Sequence, residues 1–213
     1  MGTSEHINGF VLAGGKSRRM GQDKGLMPLA GRPLILRVAE ILRPVVRAVT
    51  LLALPARCEN LGLPVISDLL PDCGPLAAIC TGLSSSDAEW KLFLACDLPH
   101  ISSRLVELLV QRVRAASCNV VVPRTRVGWQ PLCAAYHVRC RAEFERPLLH
   151  DGRLRIIDLL KELGTGEITP EELTAAGLSQ AEFANVNTPE EWAQAAADAS
   201  AYCGELQCKF DTA

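Results

Sequence analysis

The sequence has no excess of either charge: 22 Lys and Arg stand against 24 Asp and Glu, a formal net charge of −2. This balance gives no general attraction to nucleic acid or to an anionic membrane, so basic residues that matter must act locally. A small anionic ligand still fits. No run approaches about 18 apolar residues, so a membrane span is not expected. Met1 to Asn8 has no basic start, and the apolar run Phe10 to Ala13 is broken by Gly14 and Gly15 before it could form a signal-peptide core. A cytoplasmic protein is expected. The nine cysteines are odd in number, scattered, and contain no C-x-x-C pair. In a reducing compartment they read as small buried hydrophobes. His6, His100, His137 and His150 are isolated in sequence, no triad is apparent, and these histidines need only be surface or satisfied core residues.

What is present is apolar material in two alternating rhythms. Hydrophobic residues make up 48% of 213 residues, enough for one substantial core. Strand-length runs at Ile7 to Leu12, Ala48 to Ala53, Pro64 to Ser67 and Trp90 to Cys96 alternate with helical periods. Ile35, Val38, Ala39 and Leu42 share one helical face before Pro44. Pro75 to Leu83 forms the next expected helix, and Val106, Leu109, Val110 and Val113 mark another. This βαβα order predicts an α/β fold with a parallel sheet and helices on both faces. After Cys118, Asn119 to Pro123 and Pro131 to Tyr136 read as strands separated by Arg124 to Gln130, with helices expected around Arg141 to Leu149 and Arg153 to Leu163. Thr169-Pro-Glu-Glu and Thr188-Pro-Glu-Glu each supply a capping threonine, a proline at the first helical position and a glutamate that completes a capping box. A single domain over residues 1–199 is expected, and the tail 200–213 has no clear period and is expected to be mobile.

The segment richest in chemistry is Leu12-Ala-Gly-Gly-Lys-Ser-Arg-Arg-Met-Gly-Gln-Asp-Lys24. It follows the first strand, its glycines let the backbone turn and offer N–H groups to phosphate oxygens, and Lys16, Arg18, Arg19 and Lys24 concentrate positive charge. A glycine turn with solvated basic residues suits the same composition. The segment is not a P-loop: Gly15-Lys16-Ser17 matches the end of G-x-x-x-x-G-K-[ST], but Phe10 stands where the first glycine is required. It is not a dinucleotide fingerprint either, because Gly14 and Gly15 are adjacent. Asp68 follows the strand Pro64 to Ser67 and Asp97 follows Trp90 to Cys96, so both fall at carboxyl ends of expected parallel strands. In open α/β sheets the ligand crevice lies along that edge, and the two carboxylates are expected there beside Gly14 and Gly15. Asp97 could hold Mg²⁺ against a triphosphate. Either aspartate taken alone also suits a turn or helix cap. Gly74 opens a helix soon after Asp68 and would permit close approach of a base or sugar, although a plain helix start explains it equally well.

These residues carry a family resemblance. Leu12-Ala-Gly-Gly-x-Ser-x-Arg-Met-Gly-x-Asp-Lys24, Pro28-Leu-x-Gly-x-Pro-Leu34, Asp68 before Gly74-Pro-Leu, Ala95-Cys-Asp-Leu-Pro99, Gln130-Pro-Leu132 and Asn185-Val-Asn-Thr-Pro189, in this order over roughly residues 7 to 192, resemble molybdenum cofactor guanylyltransferase. The resemblance implies a doubly wound, mostly parallel nucleotidyltransferase fold of the Rossmann-like kind. It also implies transfer of GMP from GTP to the terminal phosphate of molybdopterin, with release of pyrophosphate and with Mg²⁺ as cofactor. By motif, Leu12, Ala13, Gly14 and Gly15 would contact the nucleotide, and Arg19 and Lys24 would face its phosphates. Asp68 and Gly74 would lie in the nucleoside region, Asp97 would hold magnesium, and Asn185 and Asn187 would lie on the pterin side. A turn before the helix at Thr188 is the plainer account of that asparagine pair.

The resemblance admits hand-over of product to molybdoenzymes or their chaperones. The chain departs from the family at Ala78, where glycine is frequent, and at Leu51-Leu-Ala-Leu54, where an asparagine is frequent; both bear on base contacts. The rival readings are a cytidylyltransferase or a sugar- or polyol-phosphate nucleotidyltransferase of the same fold, and a nucleotide-binding regulatory protein without turnover. Gly14-Gly15 in place of Ala-Gly resembles the guanylyl branch.

Overall fold

A computed structural model describes residues 5–14, 23–68, 74–150 and 155–210, with side chains for all of these except 149–150 and 200–210. Four mutually parallel strands run from the middle of the sheet to one edge: β6 (Trp90–Ala95), β1 (Ile7–Leu12), β4 (Val49–Leu52) and the edge strand β5 (Val65–Ile66). Between β1 and β4 lie a two-residue-stranded hairpin, β2 (Pro28–Leu29) with β3 (Arg32–Pro33), and the helix α1 (Leu34–Leu42). A short helix α2 (Pro55–Cys58) joins β4 to β5, α3 (Gly74–Ser84) leads into β6, and α4 (Ser103–Arg114) leads out of it. The remainder comprises β7 (Val120–Thr125), β8 (Gly128–Trp129), β9 (Cys133–His137), α5 (Arg141–His150), α6 (Ile156–Glu162), β10 (Thr165–Ile168), α7 (Pro170–Ala175) and α8 (Pro189–Phe210). The strand order is β10-β7-β9-β6-β1-β4-β5, with β8 paired to β7.

Side chains on successive strand residues point to opposite faces, and the strands sort accordingly. Ile7, Val11, Leu51, Leu92, Leu94 and Val121 pack with Ile35, Val38, Ala39 and Leu42 of α1 and with Leu105, Val106, Leu109 and Val113 of α4. On the other face Phe10, Leu12, Leu52, Phe93, Val120 and Val122 pack with Leu76, Ile79 and Leu83 of α3, Phe144 of α5 and Leu159 and Leu160 of α6. This is the doubly wound, mostly parallel arrangement expected. Each fully buried aliphatic or aromatic side chain contributes roughly 1.5–3 kcal/mol. A third, small cluster of Leu29, Leu34, Val186 and Ala195 fastens the start of α8 to the β2–β3 hairpin.

The sheet is not wholly parallel. β9 runs antiparallel to both β6 and β7, which makes β7 parallel to β6. Pro131 cannot donate to a ladder, so the strand expected from Pro131 starts at Cys133. β10 adds a parallel edge strand that has no alternating pattern, because only Ile168 of its four residues is buried. Both capping boxes form: Thr169 with Glu172 at α7, and Thr188 with Glu191 at α8. The backbone of α8 continues past Ala199 to Phe210, through a stretch whose sequence shows no clear period. Among the described residues no helix is long and apolar enough to cross a membrane.

Candidate active site

The register of the central strands puts one row of residues at a common level. Leu12 lies opposite Leu52 on one side and Ala95 on the other, and Leu52 lies opposite Ile66. The ladder closes just beyond that row: Ala13 N–H donates to the Leu52 carbonyl at 2.9 Å, Ala53 N–H to the Ile66 carbonyl at 3.1 Å, and Cys96 N–H to the Leu12 carbonyl at 3.0 Å. Gly14, Asp68 and Asp97 are each two residues past this row, so three strand exits deliver them to the same carboxyl edge. Gly14 and Asp68 meet there, since a Cβ built on Gly14 would stand 3.7 Å from Asp68 Oδ2. Asp68 Oδ1 is buried without a hydrogen-bond partner among the described residues, and burial raises the carboxyl above its ordinary value of 3.8. An acceptor left in this condition beside a strand-exit glycine is suited to a ligand's donor or a cation.

Asp97 anchors the second half of the site. Burial raises its pKa, opposed by the positive charge of Lys24 and by a backbone hydrogen bond. Lys24 begins a 3₁₀ turn, Lys24–Leu26, capped by Asp23, whose Oδ1 accepts from Gly25 N–H at 3.1 Å. Asp23 Oδ2 also pairs with Arg57 of α2 at 3.3 Å. The turn rests on the exit of β6, where a Cβ on Gly25 would be 3.4 Å from Cys96 Sγ. Lys24 Nζ donates to Asn187 Oδ1 at 2.7 Å, a contact between residues 163 apart in sequence. The Asn187 segment reaches this place because Val186 N–H donates to the Asp97 carbonyl at 3.1 Å, while Asn187 and Thr188 N–H groups donate to Glu191 Oε2.

The arrangement therefore unites Gly14, Lys24, Asp68, Asp97 and Asn187 along one edge. Ala13 lies half-buried beside Gly14. Leu12 offers little to a ligand: its side chain is in the core and its carbonyl is taken by Cys96 N–H. Gly74 opens α3 with φ of +74°, a backbone conformation that favours glycine, and among the described residues nothing lies within 4 Å of its missing Cβ. Asn185 is exposed, while Asn187 is held inward. Gly15 and Arg19, together with Lys16 and Arg18, lie outside the described residues. Asp23 and Arg57 support the site without having been singled out from sequence, although Asp23 stands inside the Gly-x-Asp-Lys24 motif; Glu191, expected from sequence only as a capping-box glutamate, also supports it.

The departures at Ala78 and Leu51 to Leu54 take different places. Ala78 is 7% exposed and belongs to the core under the sheet. Leu51, Leu52 and Ala53 are buried, whereas Leu54 is 56% exposed just past the end of β4.

Among the described residues, no thiol is placed as a nucleophile in this region. Burial, with Asp97 and Asp23 nearby, pushes Cys96 up to about 12, and Cys58, Cys80, Cys133 and Cys140 are buried. Cys73 lies outside the described residues, as do the side chains of Cys203 and Cys208. Of the histidines, His6 is exposed, His100 lies 3.8 Å from Asp198, and His137 accepts from Arg139 N–H. Among the described residues no group of three or more His, Cys, Asp or Glu could by itself enclose a metal ion.

Comparison with known proteins identifies the family. Residues 9–165 match the family described as MobA-like NTP transferase domain. A molybdenum cofactor guanylyltransferase of Serratia proteamaculans is 35% identical over 191 residues, covering 88% of this chain and 92% of that protein. A probable molybdenum cofactor guanylyltransferase of Natranaerobius thermophilus is 31% identical over 197 residues, covering 90% and 96%. The crystal structure of molybdopterin-guanine dinucleotide biosynthesis protein A from Archaeoglobus fulgidus superposes with a TM-score of 0.78 at 27% identity, covering 91% of this chain and 98% of that one.

Proposed function

The chain belongs to the MobA-like NTP transferase family, and from that premise we propose that it transfers GMP from GTP to the terminal phosphate of molybdopterin and releases pyrophosphate. The observation that carries the reading is the common level of Gly14, Asp68 and Asp97 at three strand exits, with Lys24 brought beside Asp97. A triphosphate on this edge would meet the Ala13-Gly14 backbone, an ammonium and two carboxylates.

In the proposed reaction a phosphate oxygen of molybdopterin attacks the α-phosphorus of GTP in line, and the bond from that phosphorus to the pyrophosphate oxygen breaks. The attacking oxygen is already ionised, so no serine, cysteine or histidine nucleophile is needed, and catalysis consists of positioning and charge neutralisation. Lys24 supplies a fixed positive charge to the triphosphate, as Arg19 would from the loop. Gly74, Asp68, Ala13, Gly14 and Gly15 would form the nucleoside side, and Asn185 and Asn187 would lie on the pterin side.

Nucleotidyltransferases of this kind generally use a divalent metal, and we take it to be Mg²⁺. The residues fit such an ion: Asp97 is a hard oxygen donor whose charge is disfavoured by burial, and Asp68 Oδ1 has no partner among the described residues. Asp97 would hold the ion, which typically uses one or two protein carboxylates and completes its shell with water and phosphate oxygens. When bound, it would neutralise phosphate charge. A molybdoenzyme or its chaperone is the proposed recipient of the product.

Pyrophosphate release measured with each of the four nucleoside triphosphates, with and without molybdopterin, tests the reading. GTP with molybdopterin should give the fastest release. Faster release with CTP would reassign the chain to cytidylyl transfer, and nucleotide binding without release would make it a regulatory binder.

A further inference from the structure

We propose that Asn187 is a positioning residue for Lys24, and that Glu191 in turn sets Asn187, so that the first turn of α8 fixes the ammonium that the triphosphate meets. The proposal rests on the role given to Lys24 above. It assigns Asn187 a task different from the pterin contact that family resemblance suggests.

Lysine carries its charge on a four-carbon stem, and roughly 2 kcal/mol of rotamer entropy opposes holding it in one place. Here the stem starts from a capped turn seated on the β6 exit, and its far end donates to Asn187 Oδ1 at 2.7 Å. The acceptor is itself held from both sides. Val186, 4% exposed, is packed with Leu29, Leu34 and Ala195, and its N–H is tied to the Asp97 carbonyl. On the other side the N–H groups of Asn187 and Thr188 converge on one carboxylate oxygen of Glu191, whose own N–H returns to Thr188 Oγ1 at 3.2 Å. The same few atoms therefore link Asp97, Lys24 and the helix start.

The chemistry of an amide suits this task. A carboxylate at position 187 would hold the ammonium and cancel its charge, leaving less field for the phosphates. An amide oxygen accepts the hydrogen bond and leaves the full positive charge available. With Oδ1 committed to Lys24, the amide also presents no negative charge toward an incoming polyanion.

A double-mutant cycle tests the proposal, because a residue acting through another adds nothing once that other is gone. Wild type, Lys24→Ala, Asn187→Ala and the double variant are compared by steady-state pyrophosphate release and by calorimetric titration with GTP and Mg²⁺, with thermal melting as a check on folding. Asn187→Ala should lower kcat/KM for GTP by about tenfold or more, the usual worth of a hydrogen bond to a charged group, while the KM for molybdopterin stays unchanged. In the Lys24→Ala background the same substitution should have no further effect. Glu191→Gln, which keeps an acceptor oxygen, should retain activity that Glu191→Ala loses. Additive losses, or a rise confined to the KM for molybdopterin, would overturn the proposal. If wild type releases no pyrophosphate, the proposed function fails by itself. The cycle is then read from GTP affinity alone, where non-additivity upholds the positioning role and additivity removes it.

Discussion

Replacing Gly14 by alanine adds one methyl group where the nucleotide is proposed to lie, and the structure separates its effect on folding from its effect on binding. Gly14 does not occupy the left-handed region, and the nearest atom to its added Cβ is Asp68 Oδ2 at 3.7 Å, an ordinary contact. The folded protein accommodates the methyl while the unfolded chain loses freedom, so stability should rise by about 0.4–1 kcal/mol. For a chain of this size that is roughly 1–4 °C in Tm.

Binding should move the other way. The methyl would stand beside the Asp68 carboxylate, whose Oδ1 is the acceptor proposed to meet the ligand. Losing a hydrogen bond to a charged carboxylate costs about 1.5–3 kcal/mol, roughly 10- to 150-fold in nucleotide affinity. Differential scanning fluorimetry gives the first quantity and calorimetric titration with GTP and Mg²⁺ the second. An alanine variant that folds normally and binds GTP as tightly as wild type would refute the placing of the nucleotide between Gly14 and Asp68.

Other substitutions probe the rest of the site and its support. Asp97→Asn keeps the shape and removes the charge, so most pyrophosphate release should vanish while the fold and some metal-free nucleotide binding remain; normal turnover at limiting Mg²⁺ would leave Asp97 as a turn residue only. Gly82→Ala should be tolerated poorly, because its Cβ would fall 2.5 Å from Phe93 Cε1 in a ring that stacks on Phe10 and meets Tyr136 edge-on. Overpacking of about 1–3 kcal/mol exceeds the roughly 1 kcal/mol gained in helix propensity, and an unchanged or higher Tm would contradict that balance. Asp68→Asn should stabilise the ligand-free protein near pH 7. Burial raises the Asp68 pKa, so the ionised form destabilises the fold above that raised value and costs nothing below the ordinary 3.8. The Tm difference from wild type should therefore shrink as pH falls through the raised pKa, and a difference independent of pH would point to packing instead.

The fold was legible wherever a local period sets the burial pattern. Ile7 to Leu12 and Trp90 to Cys96 are mostly apolar, interrupted only by Asn8 and Gly9 in the first and by Lys91 in the second, because both faces of a central parallel strand are covered by helices. The helical face Ile35, Val38, Ala39 and Leu42 is the stripe packed against β1. The orientation of β9 was not legible, because direction within a sheet leaves no mark on a strand's own composition. β10 was missed for a related reason: an edge strand buries little, and Thr165-Gly-Glu-Ile has no alternation to read. The helical backbone beyond Ala199 was not legible, because that stretch has no apolar period to read.

By itself the sequence determined the strand exits and what chemistry stands at each: a glycine after β1, an aspartate after β5 and another after β6. This follows because an apolar strand must end where its polar neighbours begin, and parallel strands in register end on one edge. Only the tertiary structure decided which of these groups meet. Lys24 and Asn187 are 163 residues apart, and their contact depends on Val186 being buried beside Leu29 and Leu34 and hydrogen-bonded to Asp97. Likewise, Asp97 and Asp68 have raised pKa values because the folded chain removes water from them. Solvation and long-range contact are properties of the packed molecule, so no spacing along the chain encodes them directly.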